Sequence, residues 1–321
     1  KIIDSKDFVS QNAYYHLGEC YLKNNQKQQA LNAFKAASEM DFDAKIKEDS
    51  SFNYAKLSYE LGNPYQSVPS VLQGFIAQYP KSSFAPEVQK LLISSFVTSK
   101  NYKEALELLE KNKTAENKVI YQKVAFYRGL ELATDNDTKE SKILFEKAIA
   151  ENKTPLYTAR ALFWKGESEY NLNQFDAAIL SYLQFNGYNE AKTTPEYENF
   201  EYNIAYAYFK TKNYAKAIDY FKNFTTKSTL SSERLTDAFL RLGDCYFISA
   251  QYWPAMESYN KAIEKKSPDA DYAAFQKGIS YGFVQKNDKK IEDLNSFMQK
   301  YPKSQYADDA LYELGNTYVA E

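Results

Sequence analysis

Two cysteines, Cys20 and Cys245, and one histidine, His16, are all that the 321-residue chain offers of those two residue types. Two thiols are too few for a disulfide framework or a cysteine-based zinc site. A Ser-His-Asp triad could be built only around His16, and no Gly-x-Ser-x-Gly turn is present to expose a nucleophile. Glycine (10) and proline (9) are scarce, which argues against a sheet protein with many tight turns. No apolar run approaches the roughly 18 residues of a membrane span, and no signal peptide opens the chain. Forty basic against 42 acidic residues leave a formal charge of -2, so no bulk field draws in nucleic acid or an anionic surface. What is plentiful is the aromatic ring, with 29 Tyr and 21 Phe. These must be packed, and the length exceeds one ordinary core, so several domains or a modular array is expected.

The array shows itself in a repeated phrase. Leu17-Gly-Glu-Cys-Tyr21 returns as Leu242-Gly-Asp-Cys-Tyr246. When Gly18 and Gly243 are set at position 8 of a common register, the same slot holds Gly129, Gly166, Gly278 and Gly315, with Ala205 in another copy and Lys56 and Ile93 as exceptions. Position 11 is large and apolar or aromatic (Tyr21, Tyr59, Phe96, Leu132, Tyr208, Tyr246, Tyr281, Tyr318), with Glu169 the exception. Position 20 is small except at Lys290. Position 24 is large and apolar in every full copy: Phe34, Leu72, Leu109, Phe145, Tyr182, Phe221, Tyr259 and Leu294.

Positions 4, 7, 8 and 11 follow the i, i+3, i+4, i+7 stripe of one helix, and positions 20, 24 and 27 the stripe of a second. Each copy is therefore expected to be a helical hairpin, with small residues where the helices cross and rings filling the space beside the crossing. Copies begin at residues 11, 49, 86, 122, 159, 198, 236 and 271, with the first helix of a ninth from 308. Segments such as Lys210-Thr-Lys-Asn-Tyr214 mark the turns between helices. Asp137 with Glu140 three residues on reads as a capping box, which outweighs the faint calcium-loop look of Asp135-Asn-Asp137. Pro254 falls in the first turn of a second helix, where its missing N–H costs little, and the helix containing Pro69 is expected to start near Ser67.

On these slots the chain resembles the tetratricopeptide repeat (TPR) family over residues 11–321. Copy seven matches best (Phe239, Leu242, Gly243, Tyr246, Tyr252, Ala255, Tyr259, Ala262), while Arg128 in copy four and Lys277 and Lys290 in copy eight depart from the pattern. The resemblance implies an all-α fold, an α-solenoid wound as a right-handed superhelix, spanning residues 1–321 as a single array. The chain opens on Lys1 rather than Met, and residues 1–10 match the tail of a preceding unit, so a fragment of a longer array is expected. Two junctions, Gln78-Tyr-Pro-Lys-Ser-Ser83 and Lys300-Tyr-Pro-Lys-Ser304, are similar to those of bacterial cell-envelope TPR proteins of the outer-membrane assembly lipoprotein and Tol-associated coordinator classes. The likeness favours a periplasmic or outer-membrane-associated location, with a cytoplasmic one as the alternative, and serine is expected to cap the next helix.

In that family the first helices line a concave face, and partner contacts come from positions 2, 5, 9, 12 and 13. Here these slots carry Phe126, Arg160, Phe163, Tyr170, Asn199, Tyr202, Tyr206, Phe209, Phe247, Phe275 and Phe283. A groove lined with rings suits a peptide or protein partner. The competing reading is that rings at positions 5 and 12 only brace neighbouring helices. The resemblance implies an interaction scaffold without catalytic residues, cofactor or metal. The alternative is a structural module that self-associates through an exposed C-terminal repeat, with Leu314 and Tyr318 on its apolar face. Both cysteines are expected to be buried small hydrophobes, His16 a surface residue, and Lys289-Lys290 solvated turn residues.

Overall fold

The computed structural model describes residues 6–227 and 233–320. Among these residues it contains seventeen α-helices, one short 3-10 helix and no strand. The first helices of the repeats are α1 (Phe8–Lys23), α3 (Ala44–Leu61), α5 (Ala85–Thr98), α7 (Lys118–Thr134), α9 (Pro155–Asn171), α11 (Tyr197–Lys210), α13 (Glu233–Ile248), α15 (Ala270–Phe283) and α17 (Ala307–Ala320). The second helices are α2 (Lys27–Ser38), α4 (Val68–Gln78), α6 (Tyr102–Lys111), α8 (Thr138–Glu151), α10 (Phe175–Asn186), α12 (Tyr214–Lys227), α14 (Tyr252–Glu264) and α16 (Asn287–Lys300). The chain divides into two compact units, Lys1–Arg128 and Gly129–Glu321.

The register predicted from sequence describes the packing of each hairpin. Every position-24 side chain is at most 1% exposed. Each lies over the position-8 slot of its own first helix where that slot is glycine: a Cβ on Gly18, Gly129, Gly166 or Gly243 would sit 2.6–2.8 Å from the ring of Phe34, Phe145, Tyr182 or Tyr259. Absence of a side chain at position 8 is thus what lets the ring of position 24 lie flat against the first helix. Gly315 is the exception, with no atom within 4 Å of an added Cβ. Opposite effects follow for one substitution. Gly243→Ala forces its methyl into Tyr259, a ring that is buried and hydrogen-bonded at its far end, and is expected to lower stability by about 1–3 kcal/mol. Gly315→Ala meets open space in a helix and should gain up to about 1 kcal/mol. Urea midpoints of the two variants check the sign.

The turns inside the hairpins, apart from the one between α3 and α4, share one backbone solution. The N–H three residues past the helix bonds back to the carbonyl of position 11, as in Gln26 to Tyr21, Asn101 to Phe96, Asn213 to Tyr208 and Gln251 to Tyr246 at 2.8–2.9 Å. The residue before each such donor is left-handed: Asn25, Lys100, Lys212 and Ala250 have φ of 56–61°. This is the closure that satisfies the last carbonyls of a helix, and asparagine tolerates its φ best. Asp137 caps α8 by accepting from Glu140 N–H at 3.4 Å, and Ser67 caps α4, as the sequence suggests. Pro254 stands third in α14.

Serine at the two Tyr-Pro junctions behaves differently from expectation. Ser82 Oγ accepts from Phe84 N–H at 3.1 Å and Ser304 Oγ from Tyr306 N–H at 3.2 Å, so each closes a tight turn two residues ahead of the helix rather than capping it. Junctions are also held by buried side chains. Gln11, fully buried in α1, donates from Nε2 to the carbonyl of Met40 at 2.8 Å and accepts at Oε1 from Asp43 N–H at 2.7 Å, so one amide fixes the loop into the next repeat.

The residues that depart from the repeat pattern are accommodated by charge. Glu169, standing in the position-11 ring slot, is 2% exposed and holds Lys165 Nζ at 2.7 Å and the Ser181 hydroxyl at 2.6 Å. Lys277 pairs with Asp293 at 3.1 Å. Lys290 is buried, not a solvated turn residue: its stem lies over Gly282, and its ammonium reaches Glu313 of α17 at 2.7 Å. Small Gly282 makes the room that a small position 20 would otherwise provide. Cys245 is buried as expected, its thiol pushed up to about 12 chiefly by burial, whereas Cys20 is exposed. His16 is exposed beside Glu19.

Candidate functional site

The eleven residues nominated for the partner face separate into distinct groups. Phe126, Phe163 and Phe275, all at position 5, are only 0%, 3% and 8% exposed, so these three are core rings rather than ligand contacts. Phe163 packs edge-on against Phe185 and tilted against Tyr182, while Phe275 stacks on Tyr306. Tyr170, Phe209 and Phe247, all at position 12, pack edge-on against Phe175, Tyr214 and Tyr252 at the start of their own second helices. Bracing, the competing sequence reading, describes these pairs. Phe283 is 57% exposed and stacks on Tyr252. Asn199 lies half-buried in the first turn of α11.

Arg160 is committed within the protein. Its guanidinium holds the carboxylate of Glu196, just ahead of α11, through Nε at 2.9 and 3.1 Å and a terminal nitrogen at 2.8 Å, and the Trp164 indole donates to the same carboxylate at 2.9 Å. Glu196 is 5% exposed. This fork fixes the entry of α11 rather than facing a partner.

Three nominated tyrosines do converge. Tyr170, Tyr202 and Tyr206 line a cleft with Glu167, Asn171, Tyr182, Asn203 and Arg234, between α9, α11 and the start of α13. Helical spacing explains the convergence: Glu167 and Tyr170 are one turn apart on α9, and Tyr202 and Tyr206 one turn apart on α11. The position-24 ring of Tyr182, lying over Gly166, carries its hydroxyl to Glu167 Oε1, and Asn203 Nδ2 donates to the same oxygen. Burial raises the pKa of Glu167, opposed by those two hydrogen bonds and by the charge of Arg234.

On the other side of the cleft the hydroxyls of Tyr202, at 2.9 Å, and Tyr206 donate to Asp237 Oδ2 of α13. Arg241 then links the system onward, contacting Asp237 at 3.4 Å and donating to Asp244 at 2.8 Å. Asp244 Oδ1 accepts from Tyr259 and Tyr272, each at 3.0 Å. Asp244, 6% exposed, is a buried hub. Burial, then the neighbouring carboxylates, pushes the phenols of Tyr202, Tyr206, Tyr259 and Tyr272 well above the ordinary value, so all four stay protonated donors. What the cleft presents from Tyr202 and Tyr206 is ring surface, because their hydroxyls are spent.

Glu167, Asn203, Asp237 and Arg234 were missed in the sequence because rings were sought in the partner slots. A signal was there. Copies five and seven alone combine an acid at position 9 (Glu167, Asp244) with tyrosine at position 24 (Tyr182, Tyr259), and these are the pairs that join. Copy one has Glu19 with Phe34, which carries no hydroxyl, and there the acid turns outward to His16. Among the described residues no group of three His, Cys, Asp or Glu is placed to hold a metal ion, and no helix is long and apolar enough to cross a membrane.

Two stretches of the chain, residues 11–43 and 202–225, match the tetratricopeptide repeat family. The structure of YrrB, described as a TPR protein with an unusual peptide-binding site, superposes with a TM-score of 0.52 at 16% identity, covering 66% of this chain and 96% of that one. The fold is that of tetratricopeptide repeats. The MamA protein superposes with a TM-score of 0.48 at 20% identity, covering 58% of this chain and 94% of its own. BtubC from P. vanneervenii gives 0.46 at 14% identity, covering 66% and 90%. No curated protein matches the chain. In the repeat register Glu167 and Tyr206 stand at position 9, Tyr202 at 5 and Tyr170 at 12, so four of the lining residues occupy slots singled out in the sequence.

Proposed function

We propose that the chain is a non-catalytic interaction scaffold that holds a peptide or protein segment on the first helices α9, α11 and α13. The cleft among Tyr170, Tyr202 and Tyr206 carries this reading, because it gathers three slots of two successive repeats into one aromatic concavity with a carboxylate in it. Rings offer broad contact at small loss of side-chain freedom, which suits an extended peptide. YrrB, of like fold, is described as binding peptide at an unusual site. A displayed library of random decapeptides panned on the purified chain is expected to yield binders, and Tyr170→Ala with Tyr202→Ala should weaken them by about tenfold or more with the far-UV spectrum unchanged. Failure to enrich any peptide would overturn the reading.

A second reading is favoured by α17, where Leu311, Tyr312, Tyr318 and Val319 are exposed together. Self-association through that face would give a mass that rises with concentration in sedimentation. Leu314 is buried at 6% exposure and is unsuited to the test, so Tyr312→Glu is the substitution expected to abolish it. We also propose a bacterial cell-envelope location, supported by the paired Tyr-Pro-Lys-Ser junctions. Fractionation of cells producing the protein from its own gene checks it.

A further inference from the structure

We propose that the Glu167 cleft is a receptor for one cationic side chain, a guanidinium or ammonium, of the bound partner. This deepens the scaffold reading and rests on it. The argument comes from comparing two sites built alike in the same chain. In repeat seven, Asp244 receives Tyr259 on Oδ1, and its other oxygen is taken by the guanidinium of Arg241 at 2.8 Å. In repeat five, Glu167 receives both Tyr182 and Asn203 on Oε1, and no described residue donates to Oε2. The residue corresponding to Arg241 is Trp164, whose indole is turned to Glu196. The repeat-seven carboxylate therefore carries its cation internally, whereas the repeat-five carboxylate keeps one oxygen for a cation from outside.

The walls suit such a guest. Rings of Tyr170, Tyr202 and Tyr206 line the cleft, and the attraction of an aromatic ring for a cation grows as water is excluded. Tyr202 already holds a cation over its face, the exposed Arg234 at 5.9 Å. An anionic guest is disfavoured, since the nearest hydroxyls are already donated to Glu167 and Asp237. The groups facing Glu167 from its surroundings are Tyr170, Tyr182, Tyr202, Tyr206, Arg234 and Asp237. Tyr182, Tyr202 and Tyr206 stay neutral well into the alkaline range. Glu167 itself, with its pKa raised by burial, is the group that titrates at lower pH. A cation needs it ionised, so affinity should fall as acidification protonates it, and binding near its pKa should release a proton.

The test uses arginine amide and its neutral isostere, citrulline amide, both acetylated on the α-nitrogen so that the guanidinium is the only charge that differs, titrated into the chain with the side-chain amides of Asn171 and Asn203 followed by NMR. Arginine amide is expected to shift both resonances at least about tenfold more strongly than citrulline amide. Glu167→Gln, which keeps an acceptor for Tyr182 and Asn203, should remove that preference and melt no lower than the parent at neutral pH. Arg234→Ala, which takes a positive charge from the rim, should tighten arginine binding. Equal response to the two amides, or an unaltered preference in Glu167→Gln, would overturn the proposal. Decapeptides captured without enrichment of Arg or Lys would also overturn it while leaving the scaffold reading intact. Failure to capture any peptide would remove the scaffold, with the amide titration still deciding the cation.

Discussion

Phe163→Ala is expected to lower the unfolding free energy by about 3–5 kcal/mol. From sequence, Phe163 stands in a groove position and its removal should leave stability untouched. In the structure it is 3% exposed and packs between Tyr182 and Phe185, with Trp164 edge-on beside it. Deleting the ring opens a cavity where the surrounding aromatics are fixed: Tyr182 is held by Glu167 at its hydroxyl and by Gly166 beneath its face. Little collapse is available, so both the transfer and the cavity costs are felt. Because a repeat array loses stability locally, amides of α9 and α10 should show the largest gain in hydrogen exchange. A urea midpoint and exchange pattern indistinguishable from the parent would return Phe163 to the partner face.

Arg160→Ala is expected to cost about 3–5 kcal/mol, through charge rather than volume. It leaves the Glu196 carboxylate, 5% exposed, with the Trp164 indole as its remaining donor. A buried carboxylate deprived of its cation carries most of its desolvation cost unpaid, which is why breaking such a pair is worse than replacing it. The double variant Arg160→Met with Glu196→Gln should recover much of the loss, since the amide still accepts from Trp164 and no charge is left buried. A cycle of urea unfolding on the two single variants and the double measures the coupling. Additive losses would show that the pair does not hold the start of α11.

These two residues mark where sequence reading stops. Position 8 and position 24 were legible because each is defined by size alone, and size recurs in every hairpin whatever its neighbours. The turns were legible as aperiodic segments such as Lys210–Tyr214, but which residue in them turns left-handed was not: there it is Lys212, with φ of 60°, rather than Asn213. Arg160 and Phe163 were misread because a slot number gives the side of a helix but not what is laid against it. Glu196 lies 36 residues beyond Arg160, in a junction lengthened by the 3-10 helix Asn189–Thr193, and no spacing rule within one repeat connects them. Lys290 was misread likewise, because its partners, Gly282 beneath the stem and Glu313 on the next helix, stand on other helices and outside the slots that define the hairpin.

The sequence by itself determined the helical hairpin, its register and the residues that seal it, since a periodic stripe with a small residue opposite a ring can be buried in one way. It also brought Tyr170, Tyr202 and Tyr206 into consideration together. Only the tertiary structure decided which of the slot residues remain accessible, because exposure depends on contacts between repeats that are far apart in the chain. It also decided which oxygens and hydroxyls are already spent. Asp244 and Glu167 look alike in sequence, yet Arg241 completes one carboxylate while the other keeps an oxygen toward the cleft. A hydrogen bond has direction and finite number, and those two properties are set by atoms in space rather than by letters in register.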